Sequence, residues 1–197
     1  MGEWNSRGLR GSAFEELINL TNERYRELGL ALIQKVPTPI TPIEIDQKTR
    51  HITLAYFDKK STVDYIGAIQ GIPVCFDAKE CAEDTFSLQN VHEHQFAFME
   101  AFERQEGVAF LLIYYTAKEQ YYYLRFEKLK EFYERMRSGG RKSFRFEELE
   151  QEFFLPKGKN VPVPYLEAMQ RDLDIPAGKS NPQIIVFFIN RCNPALV

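Results

Sequence analysis

The sequence predicts an α/β fold, a mixed central β-sheet flanked by helices, and three observations carry that prediction. Helical and strand patterns follow one another in the order helix, strands, helix, strands, helix. The segment VAFLLIYY (108 to 115) is apolar on both strand faces, as a strand covered on both sides must be. No G-x-G-x-x-G or Walker sequence is present, which argues against a doubly wound nucleotide fold.

Each element has a local reason. Ser12 followed by Glu15 forms a capping box, and Phe14, Leu17, Ile18, Thr21, Tyr25 and Leu28 repeat at helical spacing, so the first helix runs about 12 to 28 and ends at Gly29. LALIQKV then reads as a strand leading into Pro37-Thr38-Pro39-Ile40-Thr41-Pro42, whose three prolines exclude a central strand and indicate an extended protrusion. ITLAYF (52 to 57) follows, then STVDYIGAIQGIPVCFDAKE (61 to 80), two strands joined at Gln70-Gly71. Ser87 is expected to cap a second helix over Leu88 to Glu106, stopped by Gly107. QYYYLRF pairs with the apolar strand across Thr116 to Glu119. A basic helix (127 to 137), the loop Ser138-Gly139-Gly140-Arg141-Lys142 and a short acidic helix complete the order. No repeat or low-complexity tract interrupts it.

Composition narrows the function classes. At 197 residues, 44% hydrophobic and 27% charged, the chain has apolar surface for one domain with an appendage, and disorder is excluded as the general state. No run reaches the roughly 18 apolar residues of a membrane span, and MGEWNSRGLRG lacks the core of a secretory signal. The expected location is the cytoplasm. Cys75, Cys81 and Cys192 form no CxxC pair and read as reduced thiols. A net charge of -3 argues against indiscriminate polyanion binding. The charge is nonetheless uneven: Arg125 to Arg145 holds eight Lys/Arg against three Glu, and Asp77 to Glu106 eight acids against two bases.

The hairpin at 61 to 80 carries the chemistry. With Gln70-Gly71 as a two-residue turn, Asp64 lies across from Asp77, their Cβ atoms about 5 Å apart. Alternation sends Val74, Phe76 and Ala78 into a core and Cys75, Asp77 and Lys79 to the other face. Like charges in register are destabilising unless offset, and a divalent cation held by two carboxylates offsets them. Lys79 on the same face can orient water or neutralise charge on a phosphate. The plainer reading is a solvated strand face, which leaves the registered acids unexplained.

Asp64, twelve intervening residues and Asp77-Ala78-Lys79 match the D-Xn-(D/E)-X-K signature of restriction-endonuclease-like nucleases. RGSAFEELINLTNERY, QKVPTPITP, AYFDKKSTVDY, FDAKE, FSLQNVHEHQ and GGRKSFRFEELE, in this order, resemble the RecU family of Holliday-junction resolvases over about residues 9 to 170. The resemblance implies a restriction-endonuclease-like mixed sheet with flanking helices, a homodimer, and a stalk at about 37 to 53. It implies Mg²⁺-dependent paired cleavage of four-way junction DNA, with Mn²⁺ as a substitute, in recombination and repair, and RecA as a further partner. Asp64 and Asp77 would be the metal ligands, Lys79 the motif lysine and Glu15 an acid completing the site. The family usually has Glu where this chain has Asp77, which draws the cation about one methylene nearer the strand. A capping-box role alone also accounts for Glu15.

Candidate DNA contacts are Arg10, Lys35, Lys59 and Lys60 near the site or stalk base, His92 and Gln95 on one face of the second helix, with Gln95 expected near the metal or a phosphate, and Arg141 and Lys142 after two glycines. Tyr121-Tyr122-Tyr123 reads as core plus surface rather than a base-stacking platform. Residues 1 to 172 are expected to form one nuclease domain and 173 to 197 an extension of open role, with six apolar residues from Ile184 to Ile189. The leading reading is a homodimeric, nucleoid-associated Holliday junction resolvase. Its alternative is a junction-binding recombination factor with a weak or silent nuclease site, working on RecA or branch-migration proteins.

Overall fold

The computed structural model describes residues 12–57, 62–158 and 160–174, so Arg10, Lys59, Lys60, Cys192 and the apolar run at 184–189 lie outside the described residues. In chain order the elements are α1 (Ala13–Glu27), β1 (Ala31–Lys35), β2 (Ile40–Ile45), β3 (Ile52–Phe57), β4 (Tyr65–Ile69), β5 (Ile72–Cys81), β6 (Thr85–Ser87) and α2 (Glu93–Glu103). They continue as β7 (Val108–Tyr115), β8 (Gln120–Arg125), α3 (Phe126–Arg137), β9 (Ser143–Arg145), β10 (Phe154–Leu155) and α4 (Leu166–Asp174).

Six strands form the main sheet in the order β1-β4-β5-β7-β8-β10. Among the described residues only β5 and β7 pair in parallel, so the sheet is mixed, as the element order predicts. They lie at its centre, where Leu111, Leu112 and Ile113 are wholly buried. Across one face runs an aromatic column, Tyr65, Phe76, Phe110 and Tyr123, with successive centroids 4.7, 4.7 and 4.4 Å apart. Tyr165, just before α4, packs on Phe76 and Phe110, and Tyr25 of α1 meets it edge-on. The opposite face is covered by α2 and α3, through Phe96 against Phe126 and Tyr133.

Covering both faces corrects one expectation. Cys75 and Asp77 belong to the face assigned to chemistry, yet both are fully buried, so this face is packed except toward Lys79. The second helix starts later than Ser87 suggests: Ser87 caps a 3-10 turn at Leu88–Asn90, and α2 begins after His92. The short acidic helix resolves into two 3-10 turns, Phe146–Glu148 and Gln151–Phe153, each too brief to close α-helical bonds. α4 has no counterpart in the expected order.

The proline segment opens a separate two-stranded ribbon, with β2 pairing antiparallel to β3 and register shifts between Pro42 and Ile45. Ile40, Ile43, Ile45, Ile52, Leu54, Tyr56 and Phe57 on it are all exposed. The basic stretch is less free than its count suggests. Arg125 is buried against Glu150, Arg135 and Arg141 pair with Glu148, and Lys128 pairs with Glu131.

Phe76 joins both neighbours in the column and holds β5 in place. Phe76→Ala should cost about 3 to 5 kcal/mol in denaturant unfolding. A loss below about 1 kcal/mol would show that the column does not brace the hairpin.

Candidate active site

The β4–β5 hairpin sets the geometry. Gln70 and Gly71 both have positive φ, 48° and 91°, as a two-residue type I′ turn requires. Tyr65 pairs with Phe76, and one further step along that register sets Asp64, immediately before β4, opposite Asp77. Two bonds cross between them: Asp64 N–H donates to Asp77 Oδ1 (2.8 Å) and Ala78 N–H donates to Asp64 Oδ2 (3.0 Å). Each carboxylate therefore accepts from the backbone of the strand across from it. Val36 N–H donates to the Asp64 carbonyl (2.8 Å), which ties the base of the ribbon to the same place.

Lys79 Nζ lies 2.6 Å from Asp77 Oδ2, and its side chain is 18% exposed where that of Asp77 is 0%. Gln95, in the first turn of α2, donates Nε2–H to the same carboxylate oxygen at 2.6 Å. Its Oε1 accepts from His92 N–H (3.0 Å) and from Lys79 Nζ (3.4 Å). Burial, and next the charge of Asp77, push the Asp64 carboxyl up to about 6, against the opposing effects of Ala78 N–H and Lys79.

These residues suit a cation. Two adjacent carboxylates with the Lys79 ammonium beside them are short of positive charge, and carboxylate oxygens are hard donors. Mg²⁺ characteristically takes one or two carboxylates and keeps several waters. Among the described residues no cluster of three or more His, Cys, Asp or Glu side chains converges on one metal position.

The other predicted residues divide. Ser12 accepts from Glu15 N–H, but the Glu15 carboxylate is held by Lys35 Nζ at 2.7 Å. The Tyr65 hydroxyl donates to Asn19 Oδ1 (3.0 Å), with the Glu15 main-chain carbonyl farther off at 3.3 Å, and burial, then Glu15, then Asp64 raise its phenol. His92 is the exposed N-cap of α2, its ring stacked on His94 at 5.4 Å. Lys142 lies on the same side, since its carbonyl accepts from Leu88 N–H (3.0 Å) in the turn before α2. Arg141 is paired with Glu148.

Sequence reasoning missed two contributors. Glu80 accepts from Phe14 N–H at 3.1 Å, a carboxylate set at the N-terminus of α1. Strand alternation puts Glu80 on the packed side with Phe76, and an acid there is the signal that it caps something. Tyr65 is the other, legible only once its hydroxyl is known to reach Asn19 and the Glu15 carbonyl of α1.

Comparison with known proteins follows the same chain limits. The family model for Recombination protein U (RecU) matches residues 9–171. A Geobacillus sp. (strain WCH70) protein named Holliday junction resolvase RecU is 37% identical over 169 residues, covering 83% of this chain and 84% of its own. Proteins of the same name from Levilactobacillus brevis (37% over 169 residues; 83% and 84%) and Bacillus licheniformis (40% over 146 residues; 72% and 73%) are also similar. A solved structure of Hjc from Archaeoglobus fulgidus, titled a Holliday junction resolvase, aligns with a TM-score of 0.38 at 10% identity, over 59% of this chain and 78% of that one.

The buried pair makes a pH prediction for metal-free protein. The Asp64 carboxyl is raised from 3.8 to about 6 on folding, so the folded state binds its proton more tightly. The resulting stabilisation is complete below the unfolded value and lost as pH rises through the folded one. Asp64→Asn, which keeps an acceptor for Ala78 N–H, should match wild type near pH 4 and exceed it at about pH 7.5 by up to about 3 kcal/mol. Urea unfolding in chelator reads this difference, and a variant weaker than wild type at the higher pH would contradict the repulsion assigned to the pair.

Proposed function

We propose, as the chain belongs to the Recombination protein U (RecU) family, that it is a divalent-cation-dependent endodeoxyribonuclease that resolves Holliday junctions by paired, symmetric strand cleavage. The observation that carries the site assignment is the register of Asp64 against Asp77 beside the part-exposed Lys79. Asp64 and Asp77 would hold the cation, with Mg²⁺ the expected ion and Mn²⁺ a substitute. When bound, it polarises the scissile phosphate and stabilises the charge developing there.

The chain's own groups do the rest. Asp64 N–H and Gln95 fix the two oxygens of Asp77, and Ala78 N–H fixes one of Asp64. Lys79 keeps an ammonium beside the pair, where it can balance charge on an arriving phosphate. Glu15 is proposed as a third acid, available on release from Lys35. Lys35, His92, Arg141 and Lys142, together with Arg10, Lys59 and Lys60, are proposed to hold backbone phosphates. A homodimer supplies the two sites that two symmetric nicks require. RecA and branch-migration proteins are proposed as further partners. Among the described residues no helix is long and apolar enough to cross a membrane, in keeping with a proposed place at the nucleoid.

A synthetic mobile four-way junction tests this directly. Wild type should nick it in pairs in Mg²⁺ and not in chelator. Asp77→Asn should lower cleavage by at least about a thousandfold while junction binding holds or tightens, because a negative charge near the phosphates is gone. Junction retention without nicks by wild type would leave a binding factor, and full cleavage by the variant would remove Asp77 from the site.

The ribbon generates a separate prediction. Its apolar side chains face solvent at home, and its prolines stiffen it, as suits an element that enters the open centre of a junction. Replacing residues 38–58 with a short Gly/Ser link should leave the fold intact and weaken junction binding at least about tenfold more than duplex binding. Equal losses on both DNAs, read by gel shift, would make the ribbon an ordinary backbone contact.

A further inference from the structure

We propose that the outward face of the small β6–β9 sheet is a track for the phosphate backbone of one duplex arm of the junction, an inference that rests on the junction-DNA reading above. Phe86 and Phe144 are partners in register, wholly buried and stacked at 5.0 Å. Alternation therefore turns their neighbours outward, Thr85 opposite Arg145 and Ser87 opposite Ser143. The two outward pairs are spaced two residues apart, about 6.8 Å along the strand. Ser87 Oγ accepts from Gln89 N–H (3.3 Å), which leaves its O–H to donate. Hydroxyls and a guanidinium in such a row are donors to phosphate oxygens that read no sequence.

Charge favours the same occupant. A chain of net charge -3 has to concentrate its cations where it holds a polyanion. Asp84, just before β6, is matched by Lys118 (2.9 Å), and Glu148, just after β9, by Arg135 and Arg141. Glu148 also accepts from Arg145 N–H (2.8 Å), which fixes the main chain of β9 at that point. The side chains of Arg145 and of Lys142, the residue before β9, are exposed and enter no ion pair among the described residues. Arg137, the last residue of α3, is exposed as well, and its guanidinium rests on the Phe96 ring at 5.5 Å. A cation braced on a ring gives up little further freedom when a phosphate arrives.

The track leads toward the acid pair. Ser87 passes straight into the Leu88–Asn90 turn, and Lys142 is tied to that turn by its carbonyl, which accepts from Leu88 N–H (3.0 Å). Tyr133, one helical turn before Arg137, donates to the Val91 carbonyl (2.7 Å) and so sets the end of α3 beside the same turn. α2 starts next, after His92, and its first turn reaches Asp77. A backbone laid along Arg145, Ser143 and Lys142 therefore approaches the site from the side of the α2 start, away from the β2–β3 ribbon.

Binding of a synthetic four-way junction in chelator, followed by fluorescence anisotropy from about 50 to 200 mM salt, is the readout, with melting temperature as the check on folding. Arg145→Gln should lower the slope of log affinity against log salt by about 0.9, one phosphate contact, and weaken binding about five- to tenfold near 0.1 M salt. Arg145→Lys keeps the charge and should keep the wild-type slope. Ser143→Glu sets an acid on the outward face and should weaken binding at least about tenfold at an unchanged melting temperature. Wild-type affinity and slope in both Arg145→Gln and Ser143→Glu overturn this inference alone. No saturable junction binding by wild type removes the junction reading and the inference with it. If Ser143→Glu melts far below wild type, the comparison of Arg145→Gln with Arg145→Lys decides.

Discussion

Asp64 and Asp77 lie side by side in a largely buried place, and their repulsion is the constraint around which the surrounding structure is arranged. The hairpin register puts them there, and the chain answers with Asp64 N–H, Ala78 N–H, Gln95 and Lys79, all directed at the two carboxylates. Burial leaves the Asp64 carboxyl harder to ionise than in water. An arrangement that costs stability in the metal-free protein is one a cation relieves.

Rigidity comes from the far side of the sheet. The column Tyr65, Phe76, Phe110 and Tyr123 crosses four strands, and two of its members, Tyr65 and Phe76, sit next to the two acids in sequence. Because neighbouring residues point to opposite faces, packing the aromatics holds the acids in the other direction. α2 closes the acid face and α1 brings Glu15 near Tyr65, so three layers meet at one hairpin. The ribbon springs from the same place, through Val36 and the Asp64 carbonyl, which sets it beside the acid pair.

The site core was legible because strand pairing is arithmetic: a turn at Gln70-Gly71 makes paired residue numbers sum to a constant, and the observed Tyr65 to Phe76 register obeys it. The central place of β7 followed from its unbroken apolar run. What escaped was what depends on distant chain. Ser87 looks like a helix cap, but the chain makes a 3-10 turn first, and α2 starts where Gln95 can reach Asp77. The sequence places Gln95 near the metal or a phosphate; that it spans from His92 to Asp77 is a tertiary fact. Arg125 and Arg135 count as surface charge in the sequence and are consumed by Glu150 and Glu148 in the fold.

Asp64 and Asp77 are proposed to bind jointly the divalent cation that cleavage requires. Crystals soaked in Mn²⁺ and measured at its absorption edge test it most directly. An anomalous peak within bonding distance of both carboxylates, absent from Asp77→Asn crystals, is the result the account predicts. A peak held by other residues, or no peak at concentrations that support junction cleavage, would contradict it.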